Sequence, residues 1–582
     1  MIRGVTRIFG EAVGFLDRSR KLGWTDLALA AGVGGTIFGL IRLAQEWTGV
    51  LRPTVAIDLS VSALPAYALL SLSRGLAAYV LSLLFSLAYG YWAARDRTAE
   101  RLLIPALDIL QSIPVLGFMP GLVLGLVAAF PRSNVGLELA SVIMIFTGQA
   151  WNMTFSFYYS LKSIPRDLTE VATLSRFSSW QRFRWVELPF SAIGLVWNSM
   201  MSMAGGWFFL MVSEAFVLGD KDFRLPGLGS YMSVAVARGD GRAMLAAVIA
   251  MALMIVALDQ LLWRPIVVWA QKFRVEESGE TAPVESWFLD FLKRSQLLPW
   301  VGRLMRRAVT AIAPPRPRTP ARPSAAARPR PRAFAGALSL ALFVLLLALL
   351  AWGAVGLLGL LRQVPLGAWG GIGLAAALTL GRVLLATALG TLWALPAGLA
   401  IGLSPRLSRF LQPVVQVVAS FPAPMLFPAV VAVLAAAGVG LGFGSILLML
   451  LGTQWYILFN VIAGASAIPA DLREAARIYR TGTFQRFREL YLPAVFPYLV
   501  TGWVTAAGGA WNASIVSEYM SFRGEVLATT GLGARISMAA AGGEFAVLAA
   551  AITFMAAMVA LFNRLVWRRL HGIAEERFSL TR

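Results

Sequence analysis

The sequence predicts an all-α integral membrane protein with about twelve transmembrane helices in two parallel-related halves. Of its 582 residues, 58% are hydrophobic and only 14% are charged, whereas soluble domains carry roughly 25% charged residues. Apolar runs such as residues 333–361 exceed the roughly 20 residues that a helix needs to cross a bilayer core. They are also too long and too uniformly apolar to be barrel strands, which alternate over about 10 residues.

Each half contains six apolar segments that we interpret as membrane spans. In the first half they cover approximately residues 25–44, 64–94, 102–130, 137–160, 188–217 and 242–270. In the second half they cover approximately residues 333–361, 371–403, 410–437, 441–463, 494–520 and 543–566. The predicted domains are a first half, a linker and a second half, with bounds 1–271 (core 64–271), 272–332, and 333–582 (core 371–582).

Lys and Arg are concentrated in alternate loops, and this pattern predicts the orientation. The intervening loops 46–62 and 131–136 are nearly neutral. Because basic residues accumulate in cytoplasmic loops, we expect a multi-pass membrane protein with both termini and the linker in the cytoplasm. The formal net charge of +21 is explained by these loops facing the membrane surface, so no nucleic-acid partner is expected.

The linker contains two segments that differ in composition. Residues 286–313 mix Trp, Phe and Leu with Lys and Arg, which suits helices lying on the inner membrane face. Residues 314–332 are rich in Pro and Arg and predict an extended, solvated tether. The chain has no cysteine and a single histidine, His571, in a basic tail, so no metal site is predicted.

An internal repeat relates the two halves. At an offset of 304 residues, Gln181-Arg182-Phe183-Arg184 corresponds to Gln485-Arg486-Phe487-Arg488. Towards the beginning of each half the offset is 308 residues, and there Arg74 corresponds to Arg382 and Pro114 to Pro422. Because each half begins and ends on the same side, the repeat predicts a parallel duplication about an axis along the membrane normal.

The most polar part of the repeat is a loop that contains a predicted short helix. Asp167 and Glu170, like Asp471 and Glu474, have the spacing of a capping box, with Asp as the N-cap and Glu capping from the third helical position. We therefore expect helices to start near residues 168 and 472. Two copies of a basic, aromatic helix on one face predict a docking surface for a partner that is itself two-fold. The alternative is a surface helix anchored to lipid headgroups.

This loop resembles the EAA loop of ABC importer permeases, in which Glu-Ala-Ala is followed by three residues, Gly and a later Leu-Pro. The matching residues are Glu474, Ala475, Ala476 and Leu492-Pro493 in the second copy, and Glu170, Ala172 and Leu188-Pro189 in the first. The family's Gly falls at Arg176 and Arg480, so both copies depart from the pattern. We expect Gly482 to supply a shifted turn.

The nearest resemblance is to nitrate/sulfonate/taurine-type permeases, here with two halves fused. Val-Ser-Glu segments ending at Glu214 and Glu518, each followed by a Gly-Leu-Gly triplet, support it. The resemblance implies a type I importer-like fold in the bacterial inner membrane. It also implies two cytoplasmic ABC ATPase subunits, each docked on one of the two predicted loop helices, which are called coupling helices in that family. The implied docking residues are Asp167, Glu170, Ala172, Arg176, Arg182, Arg184, Asp471, Glu474, Ala475, Ala476, Arg480, Gly482, Arg486 and Arg488.

The chain lacks a Gly-rich phosphate loop, so it is not expected to be an enzyme or to hold a cofactor. ATP and Mg²⁺ are expected on the partner ATPases. The resemblance also implies a periplasmic or lipid-anchored binding protein that contacts loops 218–241 and 521–542. The implied solute is a small anion or zwitterion such as nitrate, a sulfonate, taurine, bicarbonate or an organic acid.

Ionisable residues inside spans are the candidates for the pathway and its gate. We expect Arg74 and Arg382 to pair with Glu214 and Glu518, although an unpaired Arg on the axis would attract an anion. Pro114, Pro120, Pro422 and Pro428 predict helix breaks where a pathway could form. The remaining candidates are Asp108, Trp207 and Trp511.

Two other classes of protein share part of this pattern. A twelve-helix secondary transporter also has two parallel-related halves, but its coupling needs titratable groups within the membrane rather than a repeated docking helix. A scaffold or channel without a pump is the third possibility.

Overall fold

The computed structural model describes residues 56–112, 114–218, 221–273, 286–294, 351–522 and 524–578, with a few isolated positions outside these ranges. The predicted span 25–44, most of the linker and most of the span 333–361 lie outside the described residues. In the first half the helices are α1 Leu64–Arg95, α2 Arg97–Ser112, α3 Val115–Ala129, α4 Val135–Lys162, α5 Arg166–Leu174, α6 Ser179–Glu214, α7 Leu228–Arg238 and α8 Gly241–Phe273.

The second half repeats this order. A linker helix, α9 Trp287–Arg294, and a short apolar helix, α10 Ala351–Leu361, precede it. The repeated helices are α11 Leu366–Leu403, α12 Pro405–Ala419, α13 Phe427–Ala436, α14 Leu441–Ser466, α15 Ala470–Ile478, α16 Thr483–Ser517, α17 Leu532–Ala541 and α18 Phe545–Phe578.

The all-α class predicted from composition is confirmed, with two small β-hairpins added. The hairpins lie in the loops predicted to contact a binding protein, and their strands are β1 Val217–Leu218, β2 Lys221–Asp222, β3 Tyr519–Phe522 and β4 Glu525–Ala528. Within the described residues, seven helices are long and apolar enough to cross a membrane. The count of twelve spans stays a prediction.

Two predicted spans are each divided. The expected span 102–130 is α2 followed by α3, and the expected span 410–437 is α12 followed by α13. The breaks fall at Pro114 and Pro422, whose backbones are extended, as predicted. The other two prolines do not break a helix. Pro120 lies inside α3, and Pro428 lies in the first turn of α13, where its missing N–H is harmless.

Each half is built on three long helices that pack together: α1, α4 and α6 in the first half, and α11, α14 and α16 in the second. Small residues allow close approach, since a methyl group at Gly90 of α1 would meet Phe157 of α4. One buried core contains residues of both halves, among them Met203 and Met449. The backbone N–H of Val115 donates to Asn512 Oδ1 of the other half at 2.8 Å, which satisfies an amide freed by the helix break.

Helices α6 and α16 run without interruption from the polar loops to the carboxylates at the opposite end. A π-helical turn lies near the start of each, at Phe183–Glu187 and Phe487–Tyr491. Their ends define two regions. We call the end that holds α5 and α15 the docking-loop end, and the end that holds Glu214 and Glu518 the ion-pair end.

Candidate functional site

The two predicted docking helices, α5 and α15, start earlier than the capping-box spacing predicted. They begin at Arg166 and Ala470, and the residues before them, Pro165 and Pro469, form no side-chain cap. Proline fixes the φ angle at about −65° and so sets the helix start without a side-chain acceptor. The prediction that Asp167 and Asp471 are N-caps is therefore wrong. Both carboxylates instead lie in the first helical turn, where the helix dipole favours them.

The expected capping role of Glu170 and Glu474 is also wrong. Each lies in the middle of its helix and is exposed, and within the described ranges neither side chain forms a hydrogen bond or ion pair. The alanines of the motif have a different environment. Ala172 is buried, and Ala475 and Ala476 are half-buried, so these small residues face the body of the protein. The carboxylates therefore remain accessible to a partner.

Both docking helices end in the same left-handed turn. Arg176 has φ 52° and Arg480 has φ 49°, and both are exposed. In the first copy the N–H of Phe177 donates to Ala172 O and that of Arg176 to Thr173 O, each at 3.0 Å. This pair of bonds is a Schellman motif, in which Gly normally takes the left-handed position.

At the position where the family pattern has Gly, both copies therefore have the left-handed backbone conformation, but the residue is Arg. A left-handed backbone costs an L-residue roughly 1–2 kcal/mol, and both copies accept this cost. The predicted shifted turn at Gly482 is wrong, since Gly482 has φ −66° and simply precedes the next helical turn.

Several large apolar side chains are exposed around these turns. In the first copy they are Val171, Leu174 and Trp180, and in the second they are Ile478, Tyr479 and Phe484. The two copies thus present apolar patches bordered by arginine at the same end of the molecule. Such patches are typical of protein-binding surfaces.

The other candidate arginines of the loops differ in exposure. Arg182 is half-buried and pairs with Glu187 at 2.9 Å, and Arg95 of α1 contacts the same carboxylate. This contact fixes the loop to the first half, so Arg182 is less available to a partner. Arg184 lies over the ring of Trp185. In the second copy Arg486 donates to Thr481 Oγ1 at 3.1 Å, and Arg488 is exposed.

At the ion-pair end, Arg74 is buried between two carboxylates. Its Nε and Nη2 donate to Glu138 at 2.6 and 2.7 Å. Its Nη1 donates to Glu214 Oε1 at 2.7 Å and to Pro226 O at 2.8 Å. All three charged side chains are 0% exposed. The expected pairing with Glu214 is present, and Arg74 does not line the central space.

The second half has a weaker version of this cluster. Arg382 Nη1 donates to Glu518 Oε1 at 2.7 Å. Its remaining partners are neutral: Nε donates to Gly442 O and Nη2 to Thr529 Oγ1, each at 3.2 Å. The position equivalent to Glu138 is Gly442, so this cluster contains one carboxylate instead of two. The Arg382 side chain is 11% exposed.

The Gly-Leu-Gly triplets complete both clusters. A methyl group at Gly227 or Gly531 would fall within the volume of the Glu214 or Glu518 carboxylate. The N–H of Gly229 donates to Glu214 at 2.8 Å, and that of Gly533 to Glu518 at 2.9 Å. Each glutamate therefore sits at the N-terminus of α7 or α17, a position that favours negative charge. The glycines are needed for this close approach.

A cavity of about 550 Å³ lies between the two halves. Both helix breaks reach it, since Pro114 and Pro422 are among its lining residues, and so is Trp511. Its polar groups are amides, hydroxyls and indoles, which include Gln111, Asn152, Gln416, Asn512, Tyr456 and Trp455. None of the described residues around it is Asp, Glu, Lys, Arg or His.

One pathway candidate, Trp207, lies away from the cavity. The prediction that Trp207 lines the pathway is wrong, because its side chain is 2% exposed and packs against Gly75 in the core. Asp108 lies within α2, but its side chain is outside the described parts of the chain. Its counterpart Gln416 lines the cavity.

Sequence reasoning missed three groups of this site. Glu138 escaped notice because its equivalent in the repeat is Gly442, although an acidic residue within a predicted span was a usable signal. Ser71 and Thr379 also went unrecognised, yet their hydroxyls donate to Glu214 and Glu518 at 2.7 and 2.8 Å. Asn512 joins the halves, and no local pattern indicates that contact. Among the described residues, no cluster of three or more His, Asp or Glu could hold a metal ion.

Comparison with known proteins gives two matches to one family model, described as binding-protein-dependent transport system inner membrane component. The matched residues are 86–262 and 386–577, one region in each half. Each region contains a docking helix and the long helix that follows it.

Individual relatives match shorter stretches. A taurine transport system permease protein of Escherichia coli is 30% identical over 211 residues, which is 34% of this chain and 70% of that protein. A nitrate import permease protein of Synechocystis sp. is 28% identical over 123 residues, 21% of this chain and 43% of that protein. A bicarbonate transport system permease protein of the same organism is 27% identical over 140 residues, which is 24% of this chain and 49% of that protein. The chain spans about half the length of these nitrate and bicarbonate relatives.

Proposed function

We propose, from the premise that this chain belongs to the family of binding-protein-dependent transport system inner membrane components, that it is the fused permease of an ATP-driven ABC importer of the bacterial inner membrane. In this proposal separate ATPase subunits bind ATP and Mg²⁺, and the chain itself is not an enzyme. The observation that carries the proposal is the pair of exposed docking helices, α5 and α15, each ended by the same Schellman turn.

Each docking helix fits one ATPase subunit. Its exposed apolar residues would be buried in a groove of the ATPase, and Glu170 and Glu474 would accept hydrogen bonds there. Arg176 and Arg480 would form charge-assisted contacts at the edge of that groove. Because the two copies differ in their exposed apolar residues, the two docking surfaces are not equivalent.

In this proposal the solute is transported by alternating access, in which the cavity opens first to one side of the membrane and then to the other. Approach of the two ATPases moves the docking loops together and rocks one half against the other. The clusters around Arg74 and Arg382 hold the ion-pair end closed, and the cavity between the halves is then open only towards the docking-loop end. A binding protein that contacts the hairpins β1–β2 and β3–β4 would deliver the solute when the ion-pair end opens.

The solute class follows from the relatives, whose names specify nitrate, taurine, bicarbonate and aliphatic sulfonates. We therefore propose a small anion or zwitterion. The cavity lacks a described cationic side chain, so an oxyanion would be held there by amide, hydroxyl and indole donors. Such neutral donors bind less tightly than charged ones, and weak binding suits a pathway that must release its solute.

The test is the double variant Glu170→Ala with Glu474→Ala. It should insert into the membrane but lose co-purification with its ATPase and lose ATP-dependent uptake. Glu525→Ala, on a hairpin at the ion-pair end, is the matched control and should keep ATPase assembly. Unchanged assembly and uptake in the double variant would contradict the docking role. Uptake that follows a proton gradient without ATP would favour the secondary transporter instead.

A further inference from the structure

The second ion-pair cluster lacks a carboxylate that the first cluster has. In the first half, Glu138 binds the edge of the Arg74 guanidinium that carries Nε and Nη2, at 2.6 and 2.7 Å. This is the two-bond geometry in which Arg recognises a carboxylate. In the second half the counterpart of Glu138 is Gly442, which has no side chain. Within the parts of the chain that the structure describes, the same edge of Arg382 therefore faces no carboxylate.

Two neutral groups meet this edge of Arg382 instead. Nε donates to Gly442 O and Nη2 donates to Thr529 Oγ1, each at 3.2 Å. Hydrogen bonds from a guanidinium to an anion are shorter, about 2.7–2.9 Å, and roughly twice as strong as bonds between neutral groups. An anion at this edge would therefore replace two long hydrogen bonds with two stronger ones.

A second exchange between the halves makes the same edge more polar. The counterpart of Thr529 is Leu225, which is buried. The two residues take the same place, since each donates its backbone N–H at 3.0 Å to the carbonyl oxygen of the cluster glutamate, Glu518 or Glu214. A hydroxyl group can donate as well as accept. Thr529 can therefore turn its hydrogen towards an anion that Arg382 binds.

The second cluster also has room beside its arginine. Among the described residues, a methyl group added at Gly442 would meet one atom outside the adjoining backbone within 4 Å, Thr529 Oγ1 at 3.5 Å. The Arg382 side chain is 11% exposed, whereas that of Arg74 is 0% exposed. Thr529 directly follows strand β4, so this edge lies at the base of the longer hairpin. The arginine is reachable there, but a ligand of only a few atoms fits so small an opening.

From these observations we propose that the Nε–Nη2 edge of Arg382 and the hydroxyl of Thr529 bind a small oxyanion in the place that Glu138 takes in the first half. The ligand class is an anion with two adjacent oxygen atoms, such as nitrate, bicarbonate, or the carboxylate or sulfonate group of a small solute. The first cluster combines one arginine with two glutamates, and the second combines one arginine with one glutamate. One bound monovalent anion gives the second cluster the formal charge of the first.

The site itself does not depend on the proposed function, but its part in transport does. It lies at the ion-pair end, to which a binding protein would deliver the solute. An anion released there would first meet Arg382, before the central cavity with its neutral donors opens to it. The fused chain therefore has one such entry site, because in the first half Glu138 already occupies the equivalent edge.

Thermal unfolding of the purified full chain in detergent tests the site. Sodium nitrate and sodium acetate are titrated against sodium chloride at equal ionic strength, since chloride cannot bridge both nitrogen atoms of the edge. Either oxyanion should raise the unfolding midpoint along a saturable curve, by about 3–6 °C at about ten times its dissociation constant. No rise above the chloride series with either salt would overturn the proposal.

Gly442→Glu supplies the carboxylate of the first half and should abolish the rise at salt concentrations that saturate the unchanged protein. Gly440→Glu is the matched control, because it adds the same side chain two residues earlier. There the backbone has φ −70° and a methyl group meets nothing within 4 Å, so the rise should remain. An equal rise in the unchanged protein and in Gly442→Glu would come from another site, such as the central cavity, and would overturn the proposal.

Thr529→Leu gives a second test that leaves the Arg382–Glu518 pair in place, and it decides if Gly442→Glu aggregates. It installs the residue of the first half and removes one donor to the anion. The nitrate concentration at half of the maximal rise should increase about tenfold, because a hydrogen bond to a charged group is lost. An unchanged concentration would contradict the part of Thr529 in the site.

These measurements use the chain without ATPase or binding protein, so a carboxylate of a partner cannot produce the rise. A rise with added phosphatidylglycerol but with neither salt would assign the edge to a lipid headgroup and overturn the solute site. A saturable nitrate rise in a chain that assembles with no ATPase would disprove the proposed function but keep the site. The absence of any rise in a chain that does assemble would disprove the site alone.

Discussion

Replacing Arg74 with Met leaves two buried carboxylates without their cation. Arg74 is 0% exposed and makes three hydrogen bonds to Glu138 and Glu214. Removing one partner of a buried ion pair costs about 3–5 kcal/mol, and the presence of a second carboxylate places this variant at about the upper value. Arg382 has one carboxylate and an 11% exposed side chain, so Arg382→Met should cost about 3 kcal/mol.

The difference of about 2 kcal/mol can be measured by thermal unfolding of the purified protein in detergent. At about 2–4 °C per kcal/mol for units of about 150–250 residues, Arg74→Met should lower the unfolding midpoint about 4–8 °C further than Arg382→Met. Arg238→Met is the control, because that side chain is exposed and surface substitutions usually change stability by less than about 0.5 kcal/mol.

A compensating variant separates charge from packing. Adding Glu138→Gln and Glu214→Gln to Arg74→Met removes the uncompensated negative charges, so most of the lost stability should return. Two results would contradict a dominant role of charge: equal effects of Arg74→Met and Arg382→Met, or a triple variant that is no more stable than Arg74→Met. Either result would mean that side-chain packing, rather than charge, dominates at the ion-pair end.

Three further changes test other parts of the structure by the same unfolding measurement. Arg480→Gly should stabilise the protein by about 1 kcal/mol, because it removes the left-handed backbone strain at Arg480. If Arg480 contacts the ATPase, the same change should weaken co-purification with that subunit. A lower unfolding midpoint would contradict the strain. Gly531→Ala should destabilise by about 1–3 kcal/mol, because the methyl group enters the space of Glu518. In the control Gly508→Ala the added methyl group meets no atom within 4 Å, so this variant should be neutral. Equal effects of Gly531→Ala and Gly508→Ala would refute the close approach of Gly531 to Glu518. Asn512→Leu removes the acceptor of the amide at the start of α3 and should cost about 1 kcal/mol; an unchanged midpoint would show that water replaces it.

Local chemistry predicted the features that depend on a few neighbouring residues. Apolar length predicted the long helices, and the missing N–H of proline predicted the breaks at Pro114 and Pro422. The cost of an unpaired buried charge predicted the Arg–Glu pairs. The capping-box prediction failed because Pro165 and Pro469 already fix the helix starts two residues earlier.

Features that depend on distant residues were not predictable in this way. The contact between Val115 and Asn512 joins residues that are 397 positions apart. The cavity likewise combines both halves, so its lining could not be derived from either repeat alone. Glu138 was not predicted because the repeat indicates only what the two halves share, and the counterpart of Glu138 is Gly442.

The uninterrupted helix α6 has a mechanical consequence. Its 36 residues extend about 54 Å at about 1.5 Å per residue, from the docking loop to the carboxylate of Glu214. A stiff rod of this kind turns any tilt at one end into a sideways displacement of the other. Its only irregular turn, Phe183–Glu187, lies close to the docking helix. The natural pivot is therefore near the docking loop, and the long arm of the lever ends at the buried glutamate.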